Sequence, residues 1–283
     1  MKNRNVIKTV TGRRAVDGAG VNLVRVIGYG DVKDFDPFLM LDAFDSLDPE
    51  DYIKGFPWHP HRGIETITYL IKGNMEHGDS LGNKGSIIDG DCQWMTAGSG
   101  IMHQEMPKPA DRMLGAQLWL NLPKENKMAI PTYNDIKSDM IPKVKEDGAT
   151  ISVIAGDYKG NSSSFYGDYV KILYFDVDMQ EGAEWSFQTD DELNLFIYIV
   201  YGQGYFGDYN ELIESKRALL FDKGDVFKAK AGKGGIRFFL YAGKPLKEPI
   251  SWGGPIVMNT REELQQAFKD LDNGTFIKDK YSL

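Results

Sequence analysis

His59-Pro60-His61-Arg62-Gly63-Ile64-Glu65-Thr66-Ile67-Thr68-Tyr69-Leu70-Ile71 joins a His-x-His pair to a run rich in β-branched and aromatic residues. The run from Ile64 to Ile71 reads as a strand, because such side chains fit a pleated surface. In an extended chain the side chains at i and i+2 share a face, so His59 and His61 can reach one ion together. A second pair, His103 and Glu105, has the same spacing in Ile101-Met102-His103-Gln104-Glu105. Two such strands facing each other bring four ligands to one point. Imidazole and carboxylate donors suit iron, nickel, copper, manganese or zinc, and a five- or six-coordinate ion so held keeps positions open for water, substrate or dioxygen. All four histidines of the chain fall between residues 59 and 103, which points to one metal site.

Glu65 competes for a place in that set. Four residues of straight strand span roughly 13 Å, too far for one ion, so Glu65 would need a bend at Gly63, where glycine permits one. It stands as a reserve ligand or as a group supporting a ligand. His77 is expected outside the ligand set, as a hydrogen-bonded or exposed histidine. Cys92, the single cysteine, cannot form an internal disulfide and reads as a small buried side chain.

The rest of the composition narrows the class. A chain of 283 residues that is 42% hydrophobic and 12% aromatic has material for two domains with separate cores and is not a disordered protein. A net charge of −8 and a pI near 5.1 argue against direct nucleic-acid binding, which needs clustered Lys and Arg. The longest apolar run, Leu195 to Val200, is too short to span a bilayer. These features predict a soluble protein of the cytoplasm, or also of the nucleus in a eukaryote, without membrane association.

Short strand-like runs separated by glycine and Asx turns recur from Val21 to Tyr241 and predict an all-β fold. One helix is expected near the end, capped by Thr260 with Glu263 three residues on and striped by Leu264, Ala267, Phe268 and Leu271. The segment from Pro123 to Pro142 reads as a connector. A weak internal repeat aligns Tyr69-Leu70-Ile71-Lys72-Gly73 with Tyr198-Ile199-Val200-Tyr201-Gly202, Gly90-Asp91 with Gly224-Asp225, and Ala97-Gly98-Ser99-Gly100 with Ala231-Gly232-Lys233-Gly234. Carried across that alignment, His59, His61, His103 and Glu105 become Gln188, Asp190, Arg237 and Phe239, a set that cannot bind a metal in the same way.

His59 to Thr66, Gln93 to Pro107 and Gln117-Leu118-Trp119-Leu120-Asn121-Leu122 resemble the pirin family of bicupins, and the likeness continues through Asp36-Pro37-Phe38-Leu39 and Gly254-Pro255-Ile256-Val257-Met258-Asn259-Thr260. The resemblance implies two tandem cupin barrels (jelly rolls, or double-stranded β-helices) with a short C-terminal helix. Residues 1–130 would form a metal-binding cupin domain and residues 131–283 a cupin domain without a metal site. It also implies one divalent metal, iron as Fe(II) before nickel, copper, manganese or zinc, on His59, His61, His103 and Glu105, and it sets Glu65 aside.

Two functions are implied by the resemblance. One is a dioxygenase of quercetin 2,3-dioxygenase type, which opens the flavonol heterocycle with O2 and releases CO. The other is a non-catalytic, metal- or redox-responsive regulator that binds a transcription factor or a metabolic enzyme. In the enzymatic reading Glu105 accepts the proton of the flavonol 3-hydroxyl, and the electron-rich enolate then meets dioxygen. Phe56, Trp58, Met106 and Trp94 are candidates for stacking on a flat polyphenol, although strand alternation turns Trp58 away from His59 and His61. Arg62 alternates away from the metal as well, toward a salt bridge or a surface contact.

Overall fold

The computed structural model describes residues 1–208 and 211–278. The chain opens with β1 (Val6–Thr11), β2 (Arg13–Asp17) and β3 (Val21–Ile27), and passes a single helical turn, α1 (Val32–Phe35). A first run of strands follows: β4 (Phe38–Ser46), β5 (Phe56–His61), β6 (Ile64–Lys72), β7 (Met75–Asp79), β8 (Lys84–Ile87), β9 (Cys92–Thr96), β10 (Ile101–Pro107), β11 (Met113–Asn121) and β12 (Thr132–Ile136). The second run comprises β13 (Lys143–Glu146), β14 (Ala149–Ala155), β15 (Asp157–Tyr158), β16 (Asn161–Ser162), β17 (Ile172–Met179), β18 (Glu184–Gln188), β19 (Asn194–Phe206), β20 (Ile213–Glu214), β21 (Arg217–Phe221) and β22 (Val226–Gly243). A tail carries β23 (Ser251–Gly253), β24 (Ile256–Met258) and α2 (Arg261–Asp272). The all-β architecture of two cupin barrels with one short terminal helix is as the sequence implies. Among the described residues no helix is long and apolar enough to cross a membrane.

The chain divides into two compact units that differ from the expected halves on either side of residue 130. One contains residues 1–12, 30–37 and 139–245; the other contains residues 13–29, 38–138 and 246–283. The physical reason lies at the two ends. β1 pairs with β21 and so joins the later barrel, while the tail returns to the earlier one, where the backbone N–H of Val257 donates to the carbonyl of Arg62 at 3.1 Å. Neither pairing leaves a mark in local sequence.

The two units share one topology. In the earlier barrel one sheet runs β12-β9-β6-β11-β4-β3-β2 and the facing sheet runs β5-β10-β7-β8. In the later barrel the corresponding path is β1-β21-β19-β22-β17-β14-β13, with β18 against β22 and β20 against β19. This match corrects the repeat alignment. Gly90 precedes β9, whereas Gly224 follows β21, the counterpart of β9, so the glycine match slips the register. Arg237 and Phe239 therefore lie in the half of β22 that pairs with β17 and corresponds to β11, not β10. Arg237 forms an ion pair there with Asp176, while Gln188 ends β18 and Asp190 lies beyond it. The inward positions facing one another across β18 and β22 are instead Trp185 with Ala229 and Phe187 with Phe227. With Phe206, Phe238 and Ala231 they belong to a continuous apolar cluster that fills this barrel.

In the earlier barrel the tail is stapled by buried charge. Arg62, expected in a salt bridge or a surface contact, is fully enclosed. It donates from Nε to the carbonyl of Ser99 (2.6 Å), from Nη1 to Asp270 Oδ2 (2.7 Å) and from Nη2 to the carbonyl of Phe276 (2.7 Å). Its guanidinium also lies 4.2 Å from the centre of the Phe276 ring. Lys278 and then Arg62 hold the Asp270 carboxyl well below the usual carboxylate range. Nearby, burial pushes the Lys127 ammonium down to about 7, and Lys127 donates to the carbonyls of Gly63 (2.8 Å) and Val257 (2.9 Å). Gly63 has φ of +77° and a Cβ there would collide with the Val257 carbonyl, so the turn between the His-x-His pair and β6 requires glycine.

Helix α2 carries the expected capping box. Glu263 N donates to Thr260 Oγ1 at 3.1 Å, and Thr260 N donates to Glu263 Oε2 at 3.0 Å. Ala267 is buried and Phe268 stays 40% exposed. Removing the carboxylate of Asp270 leaves Arg62 buried with an uncompensated charge, a change that costs about 3 kcal/mol or more. Asp270→Ala is therefore expected to lower the unfolding free energy in denaturant titration by that amount; a loss below about 1 kcal/mol would contradict the staple.

Candidate metal centre

β5 and β10 run antiparallel with His103 opposite His59 and Ile101 opposite His61. Strand alternation places all three imidazoles on one face, as the spacing predicts. Their rings converge: centroids lie 4.3 Å apart for His59 and His103, 4.8 Å for His59 and His61, and 5.0 Å for His61 and His103. One nitrogen from each of the three lies within 4.8 Å of the others. His59 donates from Nδ1 to the carbonyl of Pro57 at 2.8 Å, and His61 from Nδ1 to the carbonyl of Pro255 at 3.2 Å. Those bonds select the tautomer in which Nε2 bears the lone pair, the state a metal ligand needs.

His103 decides the fit to a metal. It is completely buried, and neither ring nitrogen has a hydrogen-bond partner. A buried polar group left unsatisfied costs about 1–3 kcal/mol, and a His103 nitrogen without a partner that lies within 4.8 Å of a nitrogen of His59 and of His61 is suited to a cation. Burial, followed by the neighbouring imidazoles His61, His59 and His77, holds the His103 ring well below its ordinary value. Burial and then His59 bring His61 down to about 3. His61 and His103 are thus held as neutral rings.

Glu105 is not among the ligand atoms that converge within 4.8 Å, and it lines the same cavity as His59 and His61. The register with β5 shifts between His103 and Glu105, which puts Glu105 opposite Phe56, while the register with β7 is regular and puts it opposite His77. Gln117 Nε2 donates to both of its oxygens at 2.9 Å, and Thr68 Oγ1 donates to Oε1 at 3.2 Å. Trp119 Nε1 in turn donates to Gln117 Oε1 at 3.2 Å. Glu65 is turned to the face of β6 opposite Thr68, where Thr96 Oγ1 donates to it at 2.7 Å, and it takes no place in the cluster. His77 is buried and hydrogen-bonded: Gln93 Nε2 donates to its Nδ1 and its Nε2 donates to Asp79, each at 3.2 Å, while its ring stacks on Tyr133. Cys92 is buried and burial pushes its thiol well up, which leaves it unreactive.

His59, His61 and Glu105 face a cavity of about 720 Å³. Of the aromatic candidates, Phe56 lines it; Trp94 is buried in the core, Trp58 is 51% exposed, and neither of these nor Met106 belongs to the lining. The cavity wall is made instead by Trp119, Trp252, Tyr29 and Phe44. Trp119 packs edge-on against His61 at 4.9 Å, and Trp252 follows at 5.8 Å from Trp119. Gln117 and Trp119 stand in a stretch already notable in the sequence. Trp252 arrives with the tail, and no local pattern could place it here.

A family model described as pirin matches residues 20–120, and one described as the pirin C-terminal cupin domain matches residues 174–277. A pirin-like protein of Caulobacter vibrioides is 41% identical over 98% of this chain and 100% of its own length. The chain belongs to the pirin family. A Pseudomonas aeruginosa protein named as a candidate quercetin 2,3-dioxygenase is 40% identical over 96% of this chain and 97% of its own. The solved structure of a quercetin 2,3-dioxygenase from Acinetobacter baumannii superposes with a TM-score of 0.88 at 29% identity, covering 98% of this pirin-family chain and 99% of that one.

The depressed histidines have a consequence for stability. In the unfolded chain these rings titrate near 6.5, so between that value and the folded ones the unfolded state binds protons that the folded state refuses. Stability of the metal-free protein therefore falls as pH drops through about 6.5. Its thermal midpoint is expected to decrease from about pH 7 to about pH 5, and less so in His103→Asn. A midpoint independent of pH over that range, or one equally sensitive in the variant, would contradict neutral burial.

Proposed function

We propose that this protein is a metal-dependent dioxygenase of quercetin 2,3-dioxygenase type. The observation that carries the proposal is a buried, unpartnered His103 converging with His59 and His61 at the end of an aromatic-walled cavity. The similarity to the Pseudomonas and Acinetobacter proteins supports the choice of a flavonol as substrate and dioxygen as co-substrate.

His59, His61 and His103 would hold the metal, with Glu105 as the fourth ligand or as the base beside it. A divalent transition metal bound there, iron first and nickel, copper, manganese or zinc as alternatives, supplies Lewis acidity to the substrate's hydroxyl and carbonyl oxygens and a path for electrons to dioxygen. Glu105 takes the proton of the flavonol 3-hydroxyl at one of its carboxylate oxygens. Gln117 and Thr68 hold that carboxylate in place, which removes the need to reorganise it during proton transfer. Trp119 and Trp252 flank the flat rings and exclude water from the enolate. The overall reaction converts flavonol and O2 into a depside ester and CO, with both atoms of dioxygen retained in the ester.

The test is anaerobic loading with iron, nickel, copper or manganese, then aerobic incubation with quercetin while its absorbance at the edge of the visible range is followed. Wild type is expected to consume quercetin, and His103→Ala to lose the metal. Glu105→Gln is expected to keep most of the metal and lose turnover by roughly 100-fold or more. Protein carrying stoichiometric metal in every form yet leaving quercetin intact would overturn the enzymatic reading and favour a regulator that binds a protein partner.

A further inference from the structure

The cavity beside the histidines has a charged end that the proposed reaction does not use. Arg25 donates from Nε to Asp42 Oδ1 at 2.9 Å and from Nη2 to Asp42 Oδ2 at 2.7 Å, and the same Nη2 reaches Asp17 Oδ2 at 2.7 Å. All three residues line the cavity. The Asp42 side chain is only 6% exposed and that of Arg25 is 34% exposed. A buried carboxylate is a costly way to build a wall whose other parts are aromatic, since an apolar side chain of the same size would pack there without desolvating a charge.

Strand register places this pair relative to the chemistry. Gln117, which holds Glu105, is the cross-strand neighbour of Asp42 on β4, and Asp42 is the neighbour of Arg25 on β3. Adjacent strands are about 4.8 Å apart, so the charged pair starts roughly 5 Å beyond Gln117 and reaches roughly 10 Å. A planar three-ring molecule with its hydroxyl at Glu105 and its faces along Trp119 and Trp252 extends its remote ring over that distance.

We infer, on the reading that the cavity takes a flavonol, that Arg25 and Asp42 recognise hydroxyl groups on the substrate's pendant phenyl ring and select molecules bearing a catechol there. The local charge decides between ligand types. Two carboxylates and one guanidinium leave this end of the cavity negative, which favours a neutral ligand that donates hydrogen bonds and disfavours a carboxylated one. Each Asp42 oxygen spends one acceptor direction on Arg25 and retains another. Arg25 fills the convergent side of the Asp42 carboxylate, so one phenolic hydroxyl donates to the outer side of an Asp42 oxygen while its neighbour accepts from Arg25 Nη1, which neither Asp42 nor Asp17 engages. A pendant ring without hydroxyls would cover the pair and return no hydrogen bond.

Binding is measured anaerobically by quenching of tryptophan fluorescence, in metal-free and metal-loaded protein. The ligands are quercetin, galangin, which lacks hydroxyls on the pendant ring, and the flavonol that keeps the catechol but lacks hydroxyls on the fused ring. Galangin is expected to bind roughly tenfold or more weakly than quercetin, and the catechol-only flavonol to stay within about threefold of quercetin. In Asp42→Asn and in Arg25→Gln the advantage of quercetin over galangin is expected to shrink to about twofold. The second variant alters the more exposed partner and carries the test if the first does not fold. Equal affinity for quercetin and galangin in wild type, or an advantage that survives in a folded variant, overturns the inference while the flavonol reading stands. If no flavonol binds at all, the flavonol reading falls and takes the inference with it.

Discussion

An imidazole with two unpartnered nitrogens at the centre of a barrel is the constraint around which the rest of the metal-site unit is arranged. His103 lies on β10 opposite His59, and burial keeps its ring neutral, so its lone pair is available and unsatisfied. The same barrel holds a second buried histidine whose treatment is opposite. His77 bonds to Gln93 and Asp79 and stacks on Tyr133, so both of its nitrogens are satisfied within the protein. The contrast separates a histidine satisfied within the protein from one left open to a ligand. The carbonyls of Pro57 and Pro255 complete the arrangement by fixing the tautomers of His59 and His61. One of those carbonyls belongs to the tail, which Arg62 and Lys127 hold in place. The tail thus contributes to the metal centre through position and to the cavity through Trp252.

The two barrels share a strand order and differ in what fills them. In the later one Trp185, Phe187, Phe227 and Phe238 occupy the interior. In the earlier one a row of cross-strand neighbours, Gln93, Thr68, Gln117, Asp42 and Arg25, crosses the sheet and leads past Glu105. A polar row of this kind is stable only when its members satisfy one another, as the bonds among Thr68, Gln117 and Glu105 do. Topology alone would predict two similar sites; among the described residues the imidazoles converge in one.

Much of this was legible in the sequence because it rests on a period of two. The shared face of His59 and His61 follows from strand alternation, the α2 cap follows from Thr260 and Glu263, and the pairing that sets His103 beside them in the same sheet comes from the register of β5 with β10. The same alternation offers Glu105 as a fourth ligand, whereas the bonds that Gln117 and Thr68 make to its carboxylate depend on cross-strand register, which leaves no sequence signal. The repeat alignment slipped because glycines mark turns without saying which turn, and so Arg237 was matched to His103. The exchange of β1 and the tail between units depends on pairings more than a hundred residues apart. Arg25 and Asp42 carried a usable signal, since each is a charge between apolar neighbours in its strand, but only the register shows that they meet beside Gln117.

The central claim is that one metal ion sits among three imidazoles and opens onto the aromatic cavity. Anomalous diffraction at the metal absorption edge, from crystals of the metal-loaded protein, tests it most directly. The account predicts a single strong peak bonded to nitrogens of His59, His61 and His103, with at least one coordination position facing Trp119. A peak elsewhere, or an ion closed off entirely by protein ligands, would contradict it.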